Sequence, residues 1–144
     1  MKAFRFPLER ALSWRRTQME LEESKLRQQT ANLAELDRLR TQMKSEAIRA
    51  ETDLRSQPSV SGQDLAALGN YRAYLRQEDE RIASHRTNCE RQLAEQQKVL
   101  LETRRRYRLL DRLRERRFLE WQAAADRELE ALAAESHLAR LARK

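Results

Sequence analysis

Cys89 is the one cysteine in a chain of 144 residues, and His85 and His137 are its two histidines. A single thiol excludes an internal disulfide and any multi-cysteine zinc site. Cys89 falls between the apolar positions Ile82 and Leu93, where a small packed residue fits better than a reactive thiol. Neither histidine has a second ligand nearby in sequence, so no metal site is expected. No glycine-rich loop could cradle a phosphate, and no nucleophile stands beside a base. The sequence therefore predicts no catalytic residue, no cofactor and no enzymatic activity.

What the chain has in abundance is charge, with 30 basic and 23 acidic residues giving a formal net charge of +7. Much of it suits the solvated face of a helix. Its distribution is uneven. Arg104, Arg105, Arg106, Arg108, Arg112, Arg114, Arg116 and Arg117 crowd one segment, and Arg5, Arg10, Arg15 and Arg16 crowd the N-terminal part.

The elements that carry these residues follow from composition and turn signals. With two Gly, two Pro and 6 % aromatic residues, the chain has few places to turn and little material for a compact core. Arg, Leu, Ala, Glu and Gln dominate, the residues that lose least on entering a helix. A mean hydropathy of -0.95 beside 40 % apolar residues fits a narrow apolar seam flanked by charge. The strong turn signal is SQPSVSGQD, residues 56–64, where Pro58 stops one helix and Ser61 can cap the next with Asp64 three residues on. The expectation is a single domain over 1–144: a helix from about 7 to 55, a turn from about 56 to 62, and a helix from about 63 to 142.

Heptad tracks support a coiled coil. The first helix carries Leu12, Met19, Leu26, Leu33, Arg40, Ala47 and Leu54, with a companion track of Leu36, Met43 and Ala50; the second carries Leu68, Tyr71, Leu75, Ile82, Leu93, Leu100 and Tyr107. Folding the chain about residue 59 pairs these tracks: Met43 with Leu75, Leu36 with Ile82, Leu26 with Leu93, Leu12 with Tyr107. The same rule sets Arg40 opposite Glu78, a polar layer able to fix register. The fold class predicted is all-α, a long two-helix antiparallel coiled-coil hairpin.

This pairing leaves about 30 residues of the second helix unpartnered, an overhang of roughly 45 Å at about 1.5 Å per residue. Trp121, Ala125, Leu129, Leu132, Leu138 and Leu141 are expected to recur near one helical face there. A partner protein, folding back or dimerisation would cover it. The two arginine clusters become neighbours at the open end, a positive collar suited to acidic protein surface. A nucleic-acid reading is weaker, because basic-region zippers pair in parallel and read bases with side chains that include Asn, which the basic segment lacks.

The run FRFPLERALSWRR, residues 4–16, resembles the opening of the FliJ family, the cytoplasmic coiled-coil component of the bacterial flagellar type III export apparatus. NYRAYLRQEDERIASHR at 70–86, RRRYRLLDRLRERR at 104–117 and the ending RELEALAAESHLAR resemble its later portions, so the likeness covers essentially the whole chain. It implies a non-enzymatic protein of flagellum biogenesis and motility that inserts its paired termini into the hexameric export ATPase and stimulates it, as a central stalk does in rotary ATPases. Phe4, Phe6, Leu8, Arg15, Arg16, Arg112, Arg116, Trp121, Leu129 and Leu132 are the implied ATPase-binding residues. Tyr71, Tyr74 and His85 are the implied contacts with the membrane-embedded export gate. Glu78 and Arg81 depart from the family's pattern there, where apolar or small residues are usual. Export chaperones are further implied partners. No window of the sequence approaches the roughly 18 apolar residues of a membrane span, so no insertion into the membrane is expected, nor binding to nucleic acid, and the free chain is expected to be monomeric. The resemblance implies work in the cytoplasm at the inner face of the cell membrane. The stalk protein of a virulence injectisome and a homodimeric coiled-coil scaffold are the alternatives.

Overall fold

The computed structural model describes residues 2–144. Among them the regular structure is two long helices, α1 at Glu9–Arg55 and α2 at Gly62–Ala142, with no strand. The two helices pack against each other, as an all-α chain of this composition requires.

Local chemistry sets the helix ends. Pro7 and Leu8 form a turn, the Glu9 amide donating to the Phe6 carbonyl at 3.1 Å and the Leu12 amide to Leu8 at 2.9 Å. α1 thus begins two residues after the proline. At its other end the Ser56 hydroxyl donates to the Asp53 carbonyl at 2.8 Å, which occupies one of the carbonyls a helix end leaves without an amide. Pro58, lacking an N–H, follows at once. α2 opens on the expected reciprocal cap. The Asp64 amide donates to Ser61 Oγ at 3.1 Å, and the Ser61 amide donates to Asp64 Oδ2 at 3.2 Å, satisfying two amide groups at a helix N-terminus.

The chain divides into two compact units: residues 22–100, and the N-terminal segment through Leu21 together with residues 101–144. In the first unit the non-exposed positions follow the heptad tracks. Leu26, Leu33, Leu36, Met43, Ala47, Ala50 and Leu54 on α1 and Leu68, Tyr71, Leu75 and Leu93 on α2 are half-buried, and Ile82 and Leu100 are buried. Cys89 is half-buried in the same series. Two helices shield a seam from two sides only, so most of its residues keep a solvated edge.

The polar layer differs from expectation by one residue. Arg40 pairs with Asp79, Nε to Oδ1 at 2.8 Å, while Glu78 turns along its own helix to Arg81 at 2.7 Å. Adjacent helix positions stand about 100° apart, and the Asp79 carboxylate is the one that meets the guanidinium. Arg86 with Asp37 at 2.6 Å and Arg72 with Glu51 at 2.9 Å add further cross-helix pairs. Gln96 donates to Glu22 in the polar stretch, where the side-chain oxygen of Gln29 is buried without a hydrogen-bond partner among the described residues.

In the second unit, Phe6 and Leu12 are buried, Leu12 to 2 % exposure. Arg114 pairs with Glu9 at 3.0 Å. Among the described residues no helix is long and apolar enough to cross a membrane.

Candidate protein-binding surface

The unit that contains the N-terminal segment holds every implied ATPase-binding residue. Its best-formed feature is an aromatic cluster. Phe4 meets Phe118 edge-on, with ring centroids 5.3 Å apart and planes at 80°, and lies 5.9 Å from Trp121. Phe118 and Trp121 stack at 5.7 Å and 29°. These are the offset and edge-to-face geometries that the ring quadrupole favours. Arg114, already paired with Glu9, lies over the Phe4 ring at 5.7 Å. Residues 2–6 have no helical ladder of their own, and the Trp121 indole N–H holds them by donating to the Lys2 carbonyl at 3.1 Å. Phe4, Phe6, Leu8, Leu113, Arg117 and Trp121 line the groove that results.

Around this cluster the implied residues separate. Phe4 and Trp121 are half-buried and Phe6 is buried, so the three hold the unit together as well as edging the groove. Leu8 is exposed. Arg16 donates to the Tyr107 hydroxyl at 3.2 Å and lies over its ring at 5.6 Å; these hydrogen bonds push the Arg16 guanidinium above its ordinary value. Arg15 stacks on Trp14 at 4.8 Å. Arg112 and Arg116 are exposed and have no ion-pair partner among the described residues.

The expected single apolar face of the tail does not hold. α2 continues unbroken to Ala142, and Leu138 stands nine residues beyond Leu129. Nine residues are about two and a half turns, so Leu138 and Leu141 lie on the side opposite Leu129 and Leu132. Equal-looking spacings hid this, because a helical face depends on the accumulated angle. All four are exposed, Leu129 and Leu138 to 64 % each.

The implied gate residues lie in the other unit. Tyr74 and His85 are exposed, whereas Tyr71 is half-buried in the seam. Eleven residues bring His85 back to the face of Tyr74 after about three turns. The Arg81–Glu78 pair lies along this strip. His85 edges a groove with Leu36, Leu39, Arg81 and Ile82, and its Nε2 is 3.9 Å from Cys89 Sγ; contrary to the sequence expectation, a second potential ligand does stand beside it, one helical turn away. No group of three or more His, Cys, Asp and Glu among the described residues is arranged to hold a metal ion.

Phe118 belongs to the aromatic cluster and Leu113 to the groove beside it, and the sequence expectation names neither as a binding residue. Phe118 stands three residues before Trp121, one turn of the same helix, which is the signal that could have found it. No family model, curated protein or solved structure matches the chain.

Proposed function

We propose that the chain is a non-enzymatic, FliJ-like stalk of a flagellar type III export apparatus, an antiparallel hairpin whose second helix overhangs the first and enters the hexameric export ATPase. The pairing partners support the hairpin. Glu51, Arg40, Asp37 and Glu22 on α1 meet Arg72, Asp79, Arg86 and Gln96 on α2, so numbers fall along one helix as they rise along the other.

The observation that carries the stalk reading is the tail. Its exposed leucines occupy opposite sides of one helix, Leu129 and Leu132 on one and Leu138 and Leu141 on the other. A helix apolar on more than one side calls for cover on more than one side, and a ring of subunits around a central opening supplies it. Leu8, Arg15 and Arg16 of the paired N-terminal segment, with Arg112, Arg116 and the Phe4–Trp121 groove, form the shoulder that would rest on the ring. Tyr74 and His85 supply the export-gate contact, and export chaperones are the remaining partners. The protein then works in the cytoplasm, at the inner face of the cell membrane.

The same leucines also suit a homodimeric scaffold, in which the tails of two chains cover each other. Co-purification with the export ATPase, together with light scattering on the free chain, separates the readings. A monomer that co-purifies with and stimulates the ATPase supports the stalk. A stable dimer that does neither replaces it.

A further inference from the structure

We infer that the outward face of α2 between Leu101 and Leu119 is a docking surface for anionic phospholipid. The two leucines stand eighteen residues apart, about five full turns, so they share one face. Both are exposed. Between them that face carries the exposed Arg105, Arg108, Arg112 and Arg116, with Glu115 on the same face and Glu102 and Asp111 at its margins. The seam positions Thr103, Tyr107, Leu110 and Arg114 are non-exposed and lie on the opposite side of the helix. Arg108, Arg112 and Arg116 have no ion-pair partner among the described residues, and Arg105 reaches Glu102 only at 4.0 Å. Leu101, Arg104, Arg105, Arg108, Leu109 and Arg112 enclose a shallow groove.

The pattern decides the occupant. A partner helix needs an apolar centre with charged flanks; here the charge is central and the leucines stand at the ends and margin. Nucleic acid would satisfy the guanidinium groups but leave Leu101, Leu109 and Leu119 in water. A bilayer surface takes both, the lipid phosphates meeting arginine while the leucines enter the boundary below the headgroups. The helix would lie on the membrane without crossing it. The inference does not rest on the stalk reading; because Arg112 and Arg116 of this face also belong to the proposed ATPase shoulder, the test uses Arg105 and Arg108, which do not.

The experiment is co-sedimentation of the full chain with vesicles of phosphatidylcholine alone or mixed with phosphatidylglycerol, alongside titration of a short DNA duplex. Binding is expected only to the mixed vesicles, weakening with salt. R105E/R108E should lower vesicle partitioning by about tenfold or more, each arginine contributing through the anionic surface potential. R105Q/R108Q should give an intermediate loss, and both variants should keep the circular dichroism of the parent. L101S/L119S should weaken vesicle binding and leave any DNA binding unchanged. No binding to mixed vesicles, binding unaffected by R105E/R108E, or DNA binding tighter than vesicle binding and indifferent to the leucines would overturn the inference.

Discussion

The indole N–H of Trp121 donates to the backbone carbonyl of Lys2 at 3.1 Å, so a side chain far along α2 anchors a segment outside any helix. The anchor and the ring packing around Phe4 are separable. Trp121→Phe keeps an aromatic ring against Phe4 and Phe118 but removes the donor, which should cost about 1 kcal/mol. Trp121→Ala removes both and should cost about 2–3 kcal/mol by denaturant unfolding. In both variants the amides of residues 3–6 should exchange faster with solvent. Unchanged exchange would mean that the segment is held by Phe6 alone.

Asp79, and not Glu78, is the partner of Arg40. Asp79→Ala should therefore lower the unfolding midpoint more than Glu78→Ala, whose carboxylate only meets Arg81 one turn away. Replacing Arg40 and Asp79 together by Leu should recover the loss, since no charge is then left partly desolvated in the seam. Equal midpoints for Asp79→Ala and Glu78→Ala would show the layer to be fully solvated. Exposure of about a third on both partners keeps the effect at the small end for ion pairs.

Hydrogen bonds from Gln96, Arg86 and Arg40 hold the carboxyls of Glu22, Asp37 and Asp79, respectively, below their ordinary values. A carboxyl depressed in the folded state stabilises it at pH values above the unfolded value, near about 4. That contribution is lost as pH falls through the folded values, because the unfolded chain then binds more protons. Thermal unfolding midpoints should be level above this range and decline below it. Asp79→Asn should shallow the decline. A midpoint that rises on acidification contradicts the assignment.

The seam was legible in the sequence because heptad spacing is a direct image of which side chains face the other helix, as Leu26, Leu33, Ile82 and Leu93 illustrate. The capping box at Ser61 and Asp64 was legible for the same reason, being local. Arg40 meets Asp79 and not Glu78, a difference that whole-number pairing cannot resolve when both residues border the seam. The cluster of Phe4, Phe118 and Trp121 was hidden for a different reason: residues 2–6 are not helical and carry no period to count. The tail has no single apolar face because its spacings, each close to a helical repeat, add up to about two and a half turns from Leu129 to Leu138.

Gly69 sits inside α2, and a Cβ built there meets nothing within 4 Å. Gly69→Ala should stabilise the chain by about 1 kcal/mol through helix propensity and a less flexible unfolded state. The unfolding midpoint should rise by a few degrees with helicity unchanged. A fall in the midpoint would show that another group needs the space beside this turn.

The tail of α2 allows a test of the stalk reading that a simple deletion would not. Leu129, Leu132, Leu138 and Leu141 are all exposed, so replacing any of them by Ser should change the chain's own stability by no more than about 0.5 kcal/mol. Against a partner the same side chains matter more, each buried leucine contributing up to about 1.5–3 kcal/mol before the costs of association. A partner lying along one side of the tail would be sensitive to L129S/L132S or to L138S/L141S, but not to both pairs. A ring that encloses the tail touches both sides, so each pair should weaken binding and stimulation of the export ATPase on its own. Deleting residues 122–144 should abolish both while leaving the unfolding transition of the remaining chain nearly unchanged. If the deleted chain still stimulates the ATPase like the full one, the tail is not the part that enters it. If only one leucine pair matters, the partner is a single helix or a second copy of this chain.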